Sequence, residues 1–220
     1  MRAAVHELSW LLSREYAPDS ALKLVGDRHE LTARQRLAVM RSACSDDDLA
    51  RRAGARTLAE KVHGARLGVD GYNVLITVEA ALSGGAILVG RDGAWRDLAS
   101  VHGTYRRVEE TAPAIELIAD RIAALWPERV DWYLDRPVSN SGRLKTLIAD
   151  LLEARQAAGE QDPPWNIELA DSPDRVLADY DGVVATGDSI VLNACTSWFN
   201  LAAEVVKGAP VEPWVVDLSA

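Results

Sequence analysis

Cysteine is scarce in this chain. Only Cys44 and Cys195 are present, far apart and without CxxC spacing, so neither a disulfide framework nor a cysteine zinc site is available. Both read as small buried hydrophobes. Long apolar runs are missing too. The opening MRAAVHELSWLLSREY is interrupted by His6, Glu7, Ser9 and Arg14 before it could act as a secretory signal. No segment approaches the roughly 20 apolar residues that cross a bilayer, so the expectation is a cytoplasmic protein with no membrane engagement. Absent as well are a GxxxxGK[ST] loop, a GxGxxG turn after the first strand, HExxH and GxSxG, which sets several chemistries aside. Positive charge is in deficit: the net charge is -9, an argument against a general nucleic-acid-binding surface.

The deficit is uneven. Met1 to Arg66 carry 12 Lys and Arg against 9 Asp and Glu, whereas the rest carries 12 against 24. The two regions are electrostatically different objects. Residues 1–64 are helical in pattern: Val5, Leu8, Leu11 and Leu12 share one face, and Leu31, Leu37, Val39 and Met40 lie in an Arg-rich segment. Thr32 suits a helix N-cap, and Ser45 followed by Asp46, Asp47 and Asp48 suits another. The reading is a small basic module of three or four helices.

From residue 65 to 220 short apolar runs alternate with helical stretches. Candidate strands are LGVD ending at Asp70, AILV at 86–89, VDWYLD ending at Asp135, WNIELA at 165–170, GVVAT at 182–186 and WVVDL at 214–218. Helical patterns cover 111–125, 141–158, 174–179 and 189–206. This alternation predicts an α/β domain with a mostly parallel sheet covered on both faces.

Ligands of such sheets bind beyond the carboxyl ends of the strands, where strand order reverses. Asp70, Asp135 and Asp188 all stand at that end. If their strands are neighbours, their repulsion is tolerable only with a divalent cation or shifted protonation, and hard oxygen ligands suit Mg²⁺ or Mn²⁺. The alternative is that each aspartate merely caps the next helix. Ser139, Asn140, Ser141 and Gly142 open a helix beside Arg136 and Arg143, a composition suited to phosphate. The polar stretch GRDGAWRDLASVHGTYRRVEET adds Arg91, Arg96, His102 and Arg106 as substrate-facing candidates, Asp92 as a fourth metal ligand, and Trp95 as a base-stacking candidate. Trp10, Trp126, Trp132, Trp198 and Trp214 read as core.

Taken together, LKLVGDRHELTARQRLAV, VDGYNVLITVEAALSGG, LDRPVSNSGRL and VVATGDSIVL resemble an uncharacterised prokaryotic family, domain of unknown function number four hundred and thirty-four, over nearly the whole chain. VDGYN and VVATGD are also similar to the first and last acidic motifs of the NYN branch of PIN-like ribonucleases. That likeness implies a Rossmann-like domain whose clustered carboxylates hold Mg²⁺ or Mn²⁺ and cleave RNA. By position, Asp70, Asn73 and Asp188 take the places of the family's site residues, and Asp135 that of a middle acidic residue. Ser189, Ile190 and Val191 stand where a second late acidic residue is often found.

The function expected is therefore metal-dependent hydrolysis of RNA. Arg91, Arg96, Arg106, Arg136 and the helix start at 139–143 would orient phosphates, and the arginines of the first module would grip the chain of the RNA. Two alternatives stay open: an idle domain that binds RNA or a protein partner, and a small-molecule phosphohydrolase.

Overall fold

The computed structural model describes residues 1–99, 105 and 107–219. Four helices open the chain: α1 (Arg2–Leu12), α2 (Pro18–Arg28), α3 (Ala33–Ser42) and α4 (Asp46–Ala55). Their ends follow from local chemistry. The Thr32 hydroxyl accepts from the Gln35 amide while the Thr32 amide donates to Gln35 Oε1 at 2.9 Å, a reciprocal capping box. Ser45 Oγ accepts from the Asp48 amide at 3.1 Å, and Asp46, Asp47 and Asp48 fill the positive end of α4. The apolar faces bury Val5, Leu8, Val25 and Val39 together with Leu88 and Leu218 from the second half of the chain.

A strand, β1 (Arg66–Asp70), then leads into α5 (Gly71–Leu82). The remaining elements are β2 (Ala86–Val89), β3 (Trp95–Arg96), α6 (Thr111–Leu125), β4 (Arg129–Asp135), α7 (Ser141–Ala157), β5 (Trp165–Ala170), α8 (Pro173–Ala178), β6 (Val183–Ala185), α9 (Ser189–Ala194), β7 (Trp198–Phe199), α10 (Leu201–Gly208) and β8 (Trp214–Asp217). The five-stranded sheet has order β5-β4-β1-β6-β7 and every pairing in it is parallel. Burial on both faces explains why β1 and β4 read as continuous apolar runs. Val69, Trp132 and Leu134 meet one helical layer drawn from α5, α6, α7 and α10. Tyr133 and Val184 meet the other, with Leu177 of α8 and Val191 and Leu192 of α9. Gly71 lets α5 start immediately after the strand, because the Trp132 indole and the Tyr133 carbonyl occupy the space a Cβ would need.

Three expectations need correction. The runs at 86–89 and 214–218 do not join the main sheet. As β2 and β8 they form a separate sheet of order β3-β2-β8, on which the N-terminal helices pack. The helical pattern at 189–206 is two helices interrupted by β7, where buried Trp198 and Phe199 add a strand beside β6. Of the five tryptophans read as core, Trp132 and Trp198 are, but Trp10, Trp126 and Trp214 are 49%, 43% and 63% exposed. Trp126 ends α6 in a left-handed conformation, and Trp214 lies on an edge strand, so neither faces an interior. Trp95 lies in β3 and packs against the main core. Cys44 and Cys195 are free thiols and buried. Among the described residues no helix is long and apolar enough to cross a membrane.

Candidate functional site: an acidic cleft at the strand ends

Strand order decides where a ligand can enter. The chain moves outward from β1 to β4 and β5, then returns to place β6 on the other side of β1. The cleft opens at this switch point, as the general rule for open α/β sheets requires. Alternation of side chains puts Asp135 on the face of Asp131 and Tyr133, and Asp70 on the face of Gly68, which approaches Tyr180 and Leu177. Both carboxylates therefore lie on the side covered by α8 and α9.

A cavity of about 270 Å³ results, lined by Asp70, Asp135, Asp174 and Asp188 with Arg41, Tyr72, Asn73, Arg96 and Asp97. Asp70 is 7% exposed and does not cap α5; its Oδ2 accepts from Thr186 Oγ1 at 2.7 Å. Asp188 does cap, its Oδ1 accepting from the Ile190 and Val191 amides at 2.7 and 3.2 Å. Capping thus accounts for one oxygen of Asp188 and nothing of Asp70. Burial pushes the Asp70 carboxyl up to about 7 despite the Thr186 hydrogen bond, and the charges of Asp188, Asp174 and Asp135 add to the rise. Asp135 is raised by burial, and Asp174 by burial and then by Asp188 and Asp135. None of the four forms an ion pair with a described residue, whereas nearby Asp92 and Asp97 each have an arginine.

The turn between β6 and α9 is held from several sides. Asn73 Oδ1 accepts from the Gly187 amide at 2.6 Å, and Arg96 Nε donates to the Gly187 carbonyl at 2.6 Å. Gly187 is required there, since a Cβ would lie 2.8 Å from the Trp95 carbonyl. Behind the turn, Asp92 Oδ2 receives Arg52 and Arg96 at 2.6 Å each, all three residues being buried. Burial alone would raise the Asp92 carboxyl, yet Arg96 and Arg52 hold it at about 2. Arg52 also donates to Asn193 Oδ1 at 2.7 Å and to the Ser189 carbonyl at 3.3 Å. The carbonyls on both sides of Asp188 are thereby held by arginines that share one carboxylate.

The expected residues separate accordingly. Asp70, Asn73, Asp135 and Asp188 meet in the cleft, as does Arg96, whose guanidinium is committed to Asp92 and Gly187 rather than to a substrate. Asp92 is not a ligand in waiting: both oxygens belong to the arginine pair. Arg91 is turned away onto the Cys44 carbonyl and Asp46, and Arg136 onto the Leu169 carbonyl and Asp171. The start of α7 does not face the cleft either. Asn140 and Arg143 line a separate 550 Å³ cavity with Tyr105 and Arg107, Ser141 is buried, and Ser139 is exposed outside the cleft. His102 and Arg106 lie outside the described residues.

Asp174, Thr186 and Tyr72 escape a reading of the sequence. Asp174 sits in the first turn of α8, where an acidic residue is ordinary chemistry, and only its place in the cleft beside Asp135 and Asp188 marks it. Thr186 lies inside the VVATGD motif, and its hydroxyl also accepts from the Asp188 amide at 2.9 Å, linking the two motif aspartates.

Fold and cleft together define an α/β protein with an acidic site at its switch point. The chain belongs to the family described as domain of unknown function DUF5616, matched over residues 59–204. Residues 1–54 match the protein of unknown function DUF434, so that resemblance holds for the helical module and not for the whole length. An uncharacterized protein of Methanocaldococcus jannaschii, MJ0935, is 29% identical over 191 residues, 87% of this chain and 88% of the relative. No solved structure matches the chain.

Proposed function

We propose that the cleft is a divalent-metal-dependent phosphodiesterase site acting on RNA in the cytoplasm. One observation carries this reading: four carboxylates from β1, β4, α8 and the β6–α9 turn line a single cavity, with Asp70 buried among them and lacking any described cationic partner. Four hard oxygen donors, of which Asp70, Asp135 and Asp174 are pushed toward the neutral form by burial, suit Mg²⁺ or Mn²⁺. Asp70, Asp135, Asp174 and Asp188 would hold the ion. When bound, it supplies Lewis acidity at the scissile phosphate and a route to hydroxide at neutral pH. Asp188 stays aimed because the turn around it is pinned by Asn73, Arg96 and Arg52. Arg41 also lines the cleft, its guanidinium held by Asp97 through the carbonyl at 2.8 Å and Oδ1 at 3.3 Å.

The decisive assay mixes purified protein with single-stranded RNA, structured RNA and a panel of phosphoesters, in Mn²⁺ or EDTA. RNA cleavage in Mn²⁺ that EDTA abolishes is expected. Asp70→Asn and Asp188→Asn should each lower the rate by more than the roughly 10- to 100-fold typical of losing a group that merely supports a metal ligand. Turnover surviving both substitutions would falsify the reading.

A second reading, RNA binding without turnover, draws on the spread of the carboxylates. Among the described residues no three His, Cys, Asp or Glu side chains are already gathered closely enough to hold an ion. In that case RNA binds equally well in EDTA and no product forms.

A further inference from the structure

Several buried side-chain polar atoms lack a hydrogen-bond partner among the described residues, and of these only the Tyr72 hydroxyl belongs to a residue lining the acidic cleft. Tyr72 is 6% exposed. An unpaired buried hydroxyl is costly, and phenylalanine would fill the same space without that cost. Folding alone gives no reason for the oxygen.

The ring is not loosely held. It packs on Tyr105 with centroids 5.2 Å apart at 51°, and the Tyr105 hydroxyl donates to the buried Glu79 carboxylate. Thr111 Oγ1 donates to the same carboxylate at 2.6 Å. Tyr72 also follows Asp70 and Gly71 directly, so the start of α5 fixes its backbone beside the strand end. A phenol, with an ordinary pKa of about 10, is a neutral donor at physiological pH. The cleft is otherwise rich in acceptors. A substrate bringing an anionic oxygen needs donors there, and the Arg96 guanidinium is committed elsewhere.

We propose that the Tyr72 hydroxyl donates a hydrogen bond to an anionic phosphate oxygen of the substrate bound in the cleft of Asp70, Asp135, Asp174 and Asp188. This rests on the phosphodiester reading and assigns Tyr72 as a substrate-binding residue of that site.

Tyr72→Phe tests it, because a structural role and a binding role predict opposite outcomes. Affinity is measured with a fluorescein-labelled single-stranded RNA in Ca²⁺, for the full chain, Tyr72→Phe, Asp70→Asn and the double variant. Thermal melting and Mn²⁺-dependent cleavage are measured alongside. Expected is affinity weakened roughly tenfold by Tyr72→Phe in both backgrounds, with an unchanged or higher melting temperature. Equal affinity with and without the hydroxyl overturns the inference, as does a lowered melting temperature, which would mean the hydroxyl is satisfied within the fold. Failure of the unsubstituted chain to bind the RNA overturns it too. If RNA binds but is never cleaved, the hydrolytic reading falls while the affinity comparison still decides the role of Tyr72.

Discussion

At the level of single residues, Asp70 carries the largest electrostatic consequence. Its carboxyl is raised from 3.8 to about 7, so the folded chain holds a proton there that the unfolded chain has already lost. Stability from this group is present below about pH 4, declines as pH rises toward 7, and is gone above that. Asp70→Asn should leave metal-free stability nearly unchanged at pH 4. At pH 8 it should raise stability by up to about 4 kcal/mol, the free-energy equivalent of lifting the carboxyl from 3.8 to about 7. Urea unfolding at the two pH values in EDTA measures the difference; a destabilised Asn variant at pH 8 contradicts the assignment of strain to that carboxylate. Asp70 and Asp135 were legible in the sequence because each ends an apolar strand, and Asp188 because it comes shortly after one. Asp174 was not, since an acidic residue in a first helical turn has an adequate local reason, and only tertiary structure brings it to the other three. Asp92 misled in the opposite direction: a carboxylate in a polar loop looked available, but Arg52, 40 residues away in sequence, had claimed it.

At the level of elements, the β6–α9 turn depends on partners from α4, β3 and α5. Removing the central charge by Asp92→Asn leaves two buried guanidinium groups without their counter-ion. Breaking such a pair from one side costs about 3–5 kcal/mol. The expected result is a lower urea midpoint with little change in slope, corresponding to a loss of that free energy, and a loss under about 1 kcal/mol would show that the arginines re-pair elsewhere. Periodicity found α6 and α7 almost to the residue but gave no helix at 71–82, where α5 is apolar over most of its surface. It failed for two-residue strands, because β3 and β7 are too short to show alternation and exist only through pairing with β2 and β6. It also could not tell that β2 and β8 leave the main sheet, since an apolar run of four reads alike in either sheet.

At the level of the whole molecule, the basic helical module is less a docking surface than its composition suggests. Arg28 pairs with Glu7, Arg36 with Asp27, Arg41 with Asp97, Arg51 with Asp48 and Arg52 with Asp92. With these arginines engaged and a net charge of -9, few phosphates can be neutralised at once. RNA binding should therefore show a shallow salt dependence, a slope of log K on log salt no steeper than about -2. Fluorescence anisotropy from low to high salt measures it, and a slope of -5 or steeper would restore the module as an electrostatic grip. Charge totals along the sequence could not reveal this, because they count ions without showing which are already paired.

The buried contact between Arg52 and Asp92 also crosses the border between the two matched segments, residues 1–54 and 59–204. A neutral residue at 52 would leave Asp92 one guanidinium short directly behind the turn that carries Asp188. A change at either position in one matched segment is therefore felt in the other, at the turn that aims Asp188 into the cleft.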